Sequence, residues 1–494
     1  MIADKDLISI QHARILAENA LEAQKKLATF TQAQLDEIID CVVLELKKHA
    51  QSFATMSYEE TDFGRWQDKW FKNHFVCTRV YEQIKEMNCV GVLHEDKENG
   101  IVNIGVPVGV IIALCPVTSP ISTTIYKTLI ALKSGNAIIF SPHPHAIKSM
   151  SHVLDIVIRV AQEHGLPEGS ISYLDTVTKS GTLELMNHPA CSLVLMTGVP
   201  GMFQAARCTG KPIIYGGTGN GPAFIERTAN IEQAAKDIIR SKTFDYGIAS
   251  SAEQSIVVDE CIAQKTKSAL QENGAYFMSE AESLKLTELF YYADGRRKKD
   301  MIGKSAEFLA RRAGFYVPDN TVLLVAERSY VSDSDMYAKE ILAPVMAFYV
   351  EDDWLHACEK CIELLLNERN AHTLVIHSHN EEVVYQFAMK KPVGRLLVNT
   401  PAAFGGMGAT TNLFPAMTLG SGSAGYGVTS DNVSPLNLVY MRKVGYGIRQ
   451  ISTLEQDNIC QSNPVLEENN IDATQRLQQI LLNVINVLNK TPNP

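Results

Sequence analysis

The sequence has no excess of basic residues. Its 45 Lys and Arg are outnumbered by 55 Asp and Glu, which gives a formal net charge of -10 at pH 7. Nucleic acids and anionic membranes select basic surfaces, so neither a nucleic-acid partner nor a membrane partner is expected. Long apolar runs are missing as well, because stretches such as residues 108–114 are far too short to cross a bilayer.

The chain also lacks the marks of a secreted or metal-binding protein. Its opening, MIADKDLISIQHARILAENA, has no charged-then-apolar leader of the secretory type. The 10 cysteines are scattered without a framework spacing, which is typical of reduced cytoplasmic thiols. A cytoplasmic location is therefore expected, and no metal site is predicted.

One close cysteine pair, Cys358 and Cys361 in HACEKCIELLL, could indicate metal binding or redox chemistry. No second pair accompanies it, and its i, i+3 spacing fits one face of a helix. A plain helix face is the favoured interpretation of this pair.

The sequence does contain a regular alternation of strand and helix patterns. Residues 6–50 are predicted to be helical, and from Gly105 short Val/Ile/Leu-rich strands alternate with helices, as in GVPVGVIIALCP, STTIYKTLIALKSG and NAIIFSPHP. Such strands predict an α/β fold with a parallel sheet covered on both faces, of the doubly wound, Rossmann-like kind that binds dinucleotides. A second alternation, starting near Ser255, predicts a second α/β domain.

The character of the chain changes after Gln456. Residues 456–470 are polar and turn-rich, which predicts a linker, and residues 471–490 are predicted to form an amphipathic helix. The apolar positions of that helix form one stripe: Leu477, Ile480, Leu481, Val484, Ile485 and Leu488. A stripe of this kind is normally buried on something, so a docking element is expected.

Six segments, in order along the chain, carry a family resemblance. They are CPVTSPISTTIYKTLIALKSGNAIIFSPHPHA, HPACSLVLMTGVPGM, GNGPAFIERTANIEQAAKDIIRSKTFD, EILAPVMAFY, NTPAAFGGMG and LGSGSAGYGVTSDNVSP, and together they cover about residues 10–450. They resemble the CoA-acylating aldehyde dehydrogenases, particularly the aldehyde dehydrogenase half of bifunctional aldehyde–alcohol dehydrogenases and the microcompartment aldehyde dehydrogenases. The resemblance implies oxidation of a short aldehyde such as acetaldehyde to an acyl-CoA, with CoA as co-substrate and NAD as cofactor, NADP not being excluded.

The resemblance also implies the aldehyde dehydrogenase fold and its domain plan. A cofactor-binding domain is expected at residues 1–90 and 106–243, and a catalytic domain at residues 244–435. A bridging β element is expected at residues 91–105 and 436–452. Because that element joins subunits in the family, a homodimer or a higher homo-oligomer is expected.

Several residues fall at cofactor-binding positions of the family. By resemblance, the FSPHP stretch meets the adenosine ribose, TGVPGM approaches the pyrophosphate, YGGTGNG lies beside the nicotinamide, and Glu340 of EILAPV holds the nicotinamide ribose. The residues concerned are Phe140, Ser141, Pro142, His143, Thr197, Gly198, Gly201, Gly216, Gly217 and Glu340. Loop polarity alone could explain His143, tight turns could explain the glycines, and a solvated helix position could explain Glu340.

No acidic residue occurs in PIIYGGTGN, where hydrolytic relatives carry a glutamate that activates water. That absence is typical of the CoA-dependent branch, in which a thiol releases the acyl group.

The nucleophile position departs from the family. In the family a cysteine thiolate attacks the aldehyde, but in SKTFDYGIASSAEQS the matching residue is Ser250. A hydroxyl is far less acidic than a thiol and needs an adjacent base, and none is evident in this segment. Cys115 is a conceivable substitute thiol, although a buried small residue at the end of a strand is the favoured interpretation.

A second departure lies in CPVTSP, where the family carries an asparagine whose amide stabilises the oxyanion and this chain has Ser119. Loss of one such donor costs about 10²–10³ in turnover. Three interpretations of the two serines stay open: a naturally degenerate non-catalytic homologue, an engineered variant, and an enzyme with altered chemistry.

The predicted terminal helix resembles the encapsulation peptides that carry cargo enzymes into bacterial microcompartments. A microcompartment shell protein is therefore a candidate partner of residues 471–490, beside the small aldehyde and CoA, and the interior of a microcompartment is a candidate location. Packing of the helix on its own dimer is the alternative. A membrane-surface role is disfavoured, because the polar face is rich in amides and has few cations.

Overall fold

The computed structural model describes residues 4–292, 297–368, 372–451 and 473–488. Helices open the chain and then alternate with strands. The α-helices are α1 Lys5–Leu27, α2 Gln32–Thr61, α3 Trp66–Phe75, α4 Tyr81–Lys85, α5 Pro120–Lys133, α6 Ile147–Glu163, α7 Lys179–Asn187, α8 Pro200–Arg207, α9 Ile231–Thr243, α10 Glu260–Glu272, α11 Glu280–Phe290, α12 Ala306–Arg312, α13 Trp354–Glu368, α14 Glu381–Lys390, α15 Ala402–Gly406 and α16 Ala473–Leu488.

The strands follow the sequence pattern closely. They are β1 Gly91–Asp96, β2 Ile101–Pro107, β3 Val110–Leu114, β4 Ile138–Ser141, β5 Ile171–Tyr173, β6 Cys191–Thr197, β7 Ile213–Gly216, β8 Pro222–Ile225, β9 Ser255–Asp259, β10 Ala275–Met278, β11 Leu323–Glu327, β12 Val345–Glu351, β13 Thr373–His377, β14 Arg395–Val398 and β15 Val439–Gly445.

The opening helices begin at side-chain caps that the sequence supplies. The Asp4 carboxylate accepts from the backbone N–H of Asp6, and Thr31 and Gln34 form a capping box at the start of α2. The predicted helical character of residues 6–50 is confirmed. Helix α3 runs directly into a π-helical turn at Val76–Val80, and α3 supplies two lysines to the site described below.

Two parallel sheets form the body of the chain. The first has the strand order β5–β4–β3–β6–β7, and the second has the order β10–β11–β12–β9–β8–β13–β14. Strands β3, β4 and β9 are buried along their whole length, because helices cover both faces of each sheet. The predicted α/β fold is confirmed.

The chain passes from the first sheet to the second between Gly216 and Pro222, since β7 pairs with β6 and β8 pairs with β9. This crossing precedes the domain boundary predicted at residue 243. The boundary itself stays a prediction.

Strands β1, β2 and β15 form a separate three-stranded sheet. By compactness the chain divides into a large unit, Met1–Leu93 with Ile104–Arg442, and a small unit, His94–Asn103 with Lys443–Pro494. The strands of the sheet overlap residues 91–105 and 436–452, where a bridging β element is expected, and the role of that element in joining subunits stays a prediction. Its exposed apolar side chains include Val92, Tyr440 and Met441.

The small unit contains α16, which confirms the predicted terminal helix over residues 473–488. Leu477, Ile480, Leu481, Val484 and Ile485 are each at least half exposed. The side chain of Leu488 and the linker predicted at residues 456–470 lie outside the described residues. Across the described ranges, no helix has the length and hydropathy to cross a membrane.

Candidate active site

Ser250 lies in the loop between a 3₁₀ turn, Phe244–Gly247, and strand β9. Its Oγ is 3.3 Å from Nε2 of His372, the residue that immediately precedes strand β13. Strands β9 and β13 are parallel and separated only by β8, so the loops before them open at the same edge of the sheet. The structure therefore places an imidazole beside the nucleophile position.

His372 is held in its neutral form. Burial, reinforced by the nearby Arg395 guanidinium, lowers the pKa of His372 to about 3. Its Nδ1 lies 2.7 Å from Thr373 Oγ1. When the ring proton is on Nδ1, Thr373 Oγ1 accepts it, and Nε2 is left free to accept the hydroxyl proton of Ser250. The arrangement is that of a general base beside a hydroxyl nucleophile.

Ser119, the residue predicted at the oxyanion position, is the N-cap of α5 and is only partly buried. Lys72 Nζ donates to Ser119 Oγ at 2.6 Å. Because the lysine occupies a lone pair of this oxygen, the hydroxyl proton of Ser119 is free to point away and is polarised by the adjacent charge. A charge-assisted hydroxyl donor thus stands where the family has an amide.

The same lysine anchors the nucleophile loop. Lys72 Nζ is 2.5 Å from Asp245 Oδ2, and Lys69 Nζ is 3.4 Å from the same oxygen. All three side chains are almost fully buried. Burial opposes ionisation of Asp245, but the charges of Lys69 and Lys72 outweigh it and hold the pKa of this carboxyl below its usual value.

Backbone strain marks the turn that carries Asp245. Asp245 and Tyr246 both have left-handed φ values, 49° and 51°, which side-chain-bearing residues rarely adopt. The Asp245 carboxylate accepts from the backbone N–H of Arg65 at 2.6 Å, and a Cβ on Gly64 would lie 1.8 Å from Asp245 Oδ1. Contacts with the start of α3 therefore fix the strained turn five residues before Ser250.

The predicted dinucleotide residues of the first sheet gather at its carboxyl edge. Phe140 and Ser141 end β4, with Phe140 buried and Ser141 Oγ 2.8 Å from Thr182 Oγ1. Thr197 ends β6 and pairs with Thr418 through their hydroxyls at 2.7 Å. Open parallel sheets bind ligands at this edge.

The two glycines after β6 differ in whether the backbone conformation requires glycine. Gly198 has a φ of +62°, so it serves the turn, and its N–H donates to Gly216 O at 2.8 Å. Gly201 is in the first turn of α8, and a Cβ built on it would meet nothing within 4 Å. Packing within the protein therefore does not require glycine at position 201, and its predicted role in cofactor binding stays a prediction.

The FSPHP loop continues with Pro142, which is buried, and His143, which is partly exposed. Burial, together with the charges of His145 and Lys299, lowers the pKa of His143 to about 4. His143 is therefore uncharged at neutral pH, and it would contribute hydrogen bonding rather than charge to a ligand.

Glu340 is buried and packs on the glycine loop. Its Oε1 accepts from the N–H of Gly219 at 2.8 Å, and burial raises the pKa of Glu340 to about 7. A Cβ on Gly219 would lie 1.5 Å from the carbonyl oxygen of Ser250. The loop that includes Gly216 and the buried Gly217 is thus pressed between Glu340 and the nucleophile loop. The structure brings these predicted residues together.

Cys115 is fully buried, and burial raises the pKa of its thiol. The preferred interpretation, a small buried residue at the end of β3, is confirmed. A thiol held in its protonated form inside the core is a poor substitute nucleophile.

An apolar cavity of about 420 Å³ lies beside Phe244, which begins the strained turn. Phe71, Phe244 and Phe404 contact one another edge-on or tilted along its wall. Gln51, Trp66, Gln67, Asp68, Trp70 and Arg240 complete the lining. The cavity suits a small, mostly apolar compound.

His372, Lys72 and Asp245 belong to this site but were not among the residues predicted from the sequence. Lys72, in KWFKNHF, and His372, in AHTLVIH, are far from Ser250 in sequence, whereas Asp245 lies five residues before Ser250 in SKTFDYGIASS. The sequence pattern that could have identified His372 is a His-Thr pair directly before a continuous apolar strand, because a residue at that point lies at the edge of the sheet.

The aldehyde dehydrogenase family description matches residues 2–289. Among curated proteins, the chain is 36% identical over 441 residues to the bifunctional aldehyde-alcohol dehydrogenase AdhE of Escherichia coli K12, covering 88% of this chain and 49% of that protein. It is 31% identical to the acetylating succinate-semialdehyde dehydrogenase of Clostridium kluyveri, covering 87% of this chain and 95% of that protein. The chain spans about half the length of the aldehyde-alcohol dehydrogenases that it matches.

Solved structures show the same similarity. A probable aldehyde dehydrogenase from Listeria monocytogenes EGD-e superposes with a TM-score of 0.89 at 44% identity, covering 92% of this chain and 100% of that chain. The propionaldehyde dehydrogenase of the Clostridium phytofermentans fucose utilisation bacterial microcompartment gives a TM-score of 0.79 at 26% identity, covering 88% and 98% of the two chains.

Proposed function

The chain belongs to the aldehyde dehydrogenase family, among its CoA-acylating members, and from this premise we propose that it binds a nicotinamide dinucleotide and a short aldehyde but is impaired in turnover. The observation that carries the proposal is the 3.3 Å contact between Ser250 Oγ and His372 Nε2. It gives the replaced nucleophile a base without giving it the acidity of a thiol. The aldehyde class is acetaldehyde-like, and CoA is the acyl acceptor of the ancestral reaction.

The first step is addition of Ser250 to the aldehyde. His372 Nε2 takes the hydroxyl proton as Oγ bonds to the carbonyl carbon, and the carbonyl oxygen becomes the oxyanion of a hemiacetal. A serine hydroxyl is far weaker as an acid than a thiol of pKa about 8.5, so proton removal is a larger part of the barrier than in the family. His372 is uncharged at neutral pH and can accept a proton, but its lowered pKa of about 3 makes it a weak base, which is a further reason to expect slow addition.

The oxyanion would be met by the Ser119 hydroxyl. Lys72 donates to Ser119 Oγ at 2.6 Å, and this charge-assisted contact strengthens the hydroxyl as a donor. The shorter reach of serine compared with asparagine weakens the stabilisation. Two weakened components in one site support the proposal of impaired rather than absent chemistry.

The remaining steps explain why turnover would stall. A bound nicotinamide supplies the hydride acceptor of the family reaction. Loss of hydride from the hemiacetal carbon leaves an oxygen ester on Ser250, where the family forms a thioester. A thiol displaces an alkoxide from an oxygen ester much less readily than it exchanges with a thioester, so transfer of the acyl group to CoA would be slow.

The experiment is mass spectrometry of the purified chain after incubation with acetaldehyde and NAD, with and without CoA. The proposal expects a slow gain of one acetyl group on Ser250 that CoA does not clear. His372→Ala should abolish the adduct, and His188→Ala, a histidine remote from the site, should leave it unchanged. Rapid release of acetyl-CoA by the wild type would contradict the proposal.

Cofactor binding is part of the same proposal. The buried Phe140 and Ser141 at the end of β4, the uncrowded backbone at Gly201 and the buried Glu340 favour a retained dinucleotide site. We propose NAD as the cofactor, with NADP as the alternative that a parallel titration distinguishes. The exposed apolar side chains of β15 support assembly into a homodimer or a higher homo-oligomer.

A second candidate function is a non-catalytic structural or regulatory role in a bacterial microcompartment. It is favoured by the exposed apolar stripe of α16, with Leu477, Ile480 and Leu481 all more than half exposed. We propose a shell protein as the partner of residues 471–490 and the microcompartment interior, within the cytoplasm, as the location.

A fluorescent protein fused to residues 465–494 should form puncta in a host that produces shells, and only when the shell genes are present. Leu481→Asp should disperse the puncta, whereas Gln479→Asp on the polar side should not. If the fusion stays diffuse while the full-length chain is encapsulated, residues 465–494 do not direct encapsulation.

A further inference from the structure

The cysteine pair of α13 meets a buried lysine. Cys358 and Cys361 are both buried on one face of the helix, which confirms the favoured interpretation of their spacing. Lys391, the residue directly after α14, reaches back across this face. Its Nζ lies 2.6 Å from Cys358 Sγ and 2.7 Å from Cys358 O.

The nitrogen–sulfur separation is short for a hydrogen bond. An N–H donor meets an oxygen acceptor at about 2.7–3.2 Å, and sulfur is the larger atom, so a bond to a thiol is normally longer. A separation of 2.6 Å is close to the spacing that one bridging oxygen atom would impose on the two atoms. The pair is already arranged for a covalent link.

The environment of Lys391 is a second, independent observation about this pair, because its charged side chain is buried without a carboxylate partner. The side chain is 93% buried, and among the described residues its polar contacts are the Cys358 carbonyl and thiol, with the Phe387 ring centroid 4.1 Å away. Within those ranges no carboxylate forms an ion pair with it. A buried lysine side chain with no carboxylate paired to it is costly, so its contact with the Cys358 sulfur calls for an explanation.

We propose that Cys358 and Lys391 are an oxidation-responsive modification site, at which peroxide joins Sγ and Nζ through one oxygen atom. A first hydrogen peroxide oxidises the Cys358 sulfur to sulfenic acid, forming the S–O bond and releasing one water. A second peroxide oxidises this pair further: the Lys391 ammonium releases one proton, the sulfenic O–H bond and one N–H bond of the resulting amine break, the O–N bond forms, and two waters leave. Sulfur and nitrogen are oxidised, and two peroxides are reduced.

Cys361 is not the reacting sulfur. It is fully buried, and burial raises the pKa of its thiol to about 12, so it stays protonated. Its contribution is to the packing of the helix face, which makes it a matched control.

The link would close a chain segment that carries site residues. His372 lies between Cys358 and Lys391 in sequence, and α13 contacts the cofactor loop through Asn220 Nδ2, which donates to Leu364 O at 2.8 Å. The backbone N–H of Glu340 donates to Glu368 at the end of the same helix. The linked state would therefore hold α13 against α14 beside the site and raise thermal stability, because it constrains the unfolded chain.

The test is peptide mapping of the purified full-length chain after hydrogen peroxide, before and after dithiothreitol. We expect a linked peptide pair joining Cys358 to Lys391, with the mass of both peptides plus one oxygen and minus two hydrogens, reversed by dithiothreitol. Cys358→Ser and Lys391→Met should remove it, and Cys361→Ser and Lys390→Met should keep it. The thermal midpoint of the wild type should rise with linkage and fall back on reduction.

The decisive measurement uses the wild type, so a variant that fails to fold does not remove the test, and Lys391→Arg supplies a second variant that keeps the buried charge. A free Cys358 thiol after peroxide, a Cys358–Cys361 disulfide, or a link without added oxygen would each overturn the proposal. Because the readout is a mass and not an activity, failure here is independent of the proposed aldehyde chemistry.

Discussion

His372 Nε2 lies 3.3 Å from Ser250 Oγ, although the two residues are 122 positions apart in the chain. The contact arises because each residue precedes a strand of the same parallel sheet, β13 for the histidine and β9 for the serine. In the proposed chemistry Ser250 needs a base, and His372 is the neighbouring group that would accept its proton. The consequences for binding, pH dependence and stability can be measured separately.

Gly201→Ala tests the dinucleotide site. A Cβ at position 201 meets no protein atom within 4 Å, so the fold should tolerate alanine, and the helix should be stabilised by up to about 1 kcal/mol. The methyl group would occupy space needed by a pyrophosphate, so affinity for NAD⁺ should fall at least about tenfold, or about 1.4 kcal/mol.

Calorimetric titration of wild type and variant with NAD⁺ and NADH measures this effect. Gly445→Ala is the control, since a Cβ at position 445 also meets nothing within 4 Å. Equal NAD⁺ affinity in all three proteins would show that position 201 does not face the cofactor.

Buried neutral histidines predict a loss of stability in acid. His372 and His377 have pKa values lowered by burial from 6.5 to about 3 and about 4. Below pH 6.5 the unfolded chain binds protons that the folded chain does not, so stability is full above that pH and falls as the pH drops towards 4. Each histidine contributes a slope of about 1.4 kcal/mol per pH unit.

Urea unfolding of the wild type and His372→Asn between pH 7 and pH 5 measures this slope. The free energy of unfolding of the variant should fall less steeply with pH, by about 1.4 kcal/mol per pH unit, because the variant lacks one titrating histidine. Parallel slopes would mean that His372 is protonated in the folded protein, and the role of His372 as a general base at neutral pH would lose its support.

Lys72→Met tests the link between the oxyanion position and the strained turn. The change leaves the buried Asp245 carboxylate with Lys69 alone, at 3.4 Å, and removes the donor to Ser119. We expect destabilisation of about 3 kcal/mol, the lower end of the cost of breaking a buried ion pair.

The double variant Lys72→Met/Asp245→Asn should not recover this stability, because the buried Lys69 ammonium then lacks its ion-pair partner. Denaturant midpoints of the three proteins provide the measurement. A Lys72→Met protein as stable as the wild type would mean that the contact with Asp245 contributes nothing.

Much of the fold follows from the sequence alone. Continuous Val/Ile/Leu runs at β3, β4 and β9 have no polar alternation, and only a sheet covered on both faces buries such strands. The amphipathic periodicity of α16 was equally plain. The crossing from the first sheet to the second, between Gly216 and Pro222, was not foreseen, because strand pairing between distant segments leaves no local pattern.

The site was predictable only where residues fall within one segment. Ser250 and Ser119 were identified from their neighbours in a motif. His372 and Lys72 reach the site from other elements, and their contacts depend on the tertiary arrangement of β13 and α3. The Cys358–Lys391 contact is of the same kind, since the spacing of Cys358 and Cys361 indicates a helix face but not what packs on it.

The most direct test of impaired turnover is CoA-dependent NADH formation from acetaldehyde, measured for the wild type, Ser250→Cys, and Ser250→Cys/Ser119→Asn. The account predicts little or no steady turnover by the wild type, partial recovery with Ser250→Cys, and a further gain of up to about 10²–10³ in the double variant, the worth of one oxyanion donor. Wild-type turnover of about 1 s⁻¹ or more, within the ordinary range of enzymes, would contradict it.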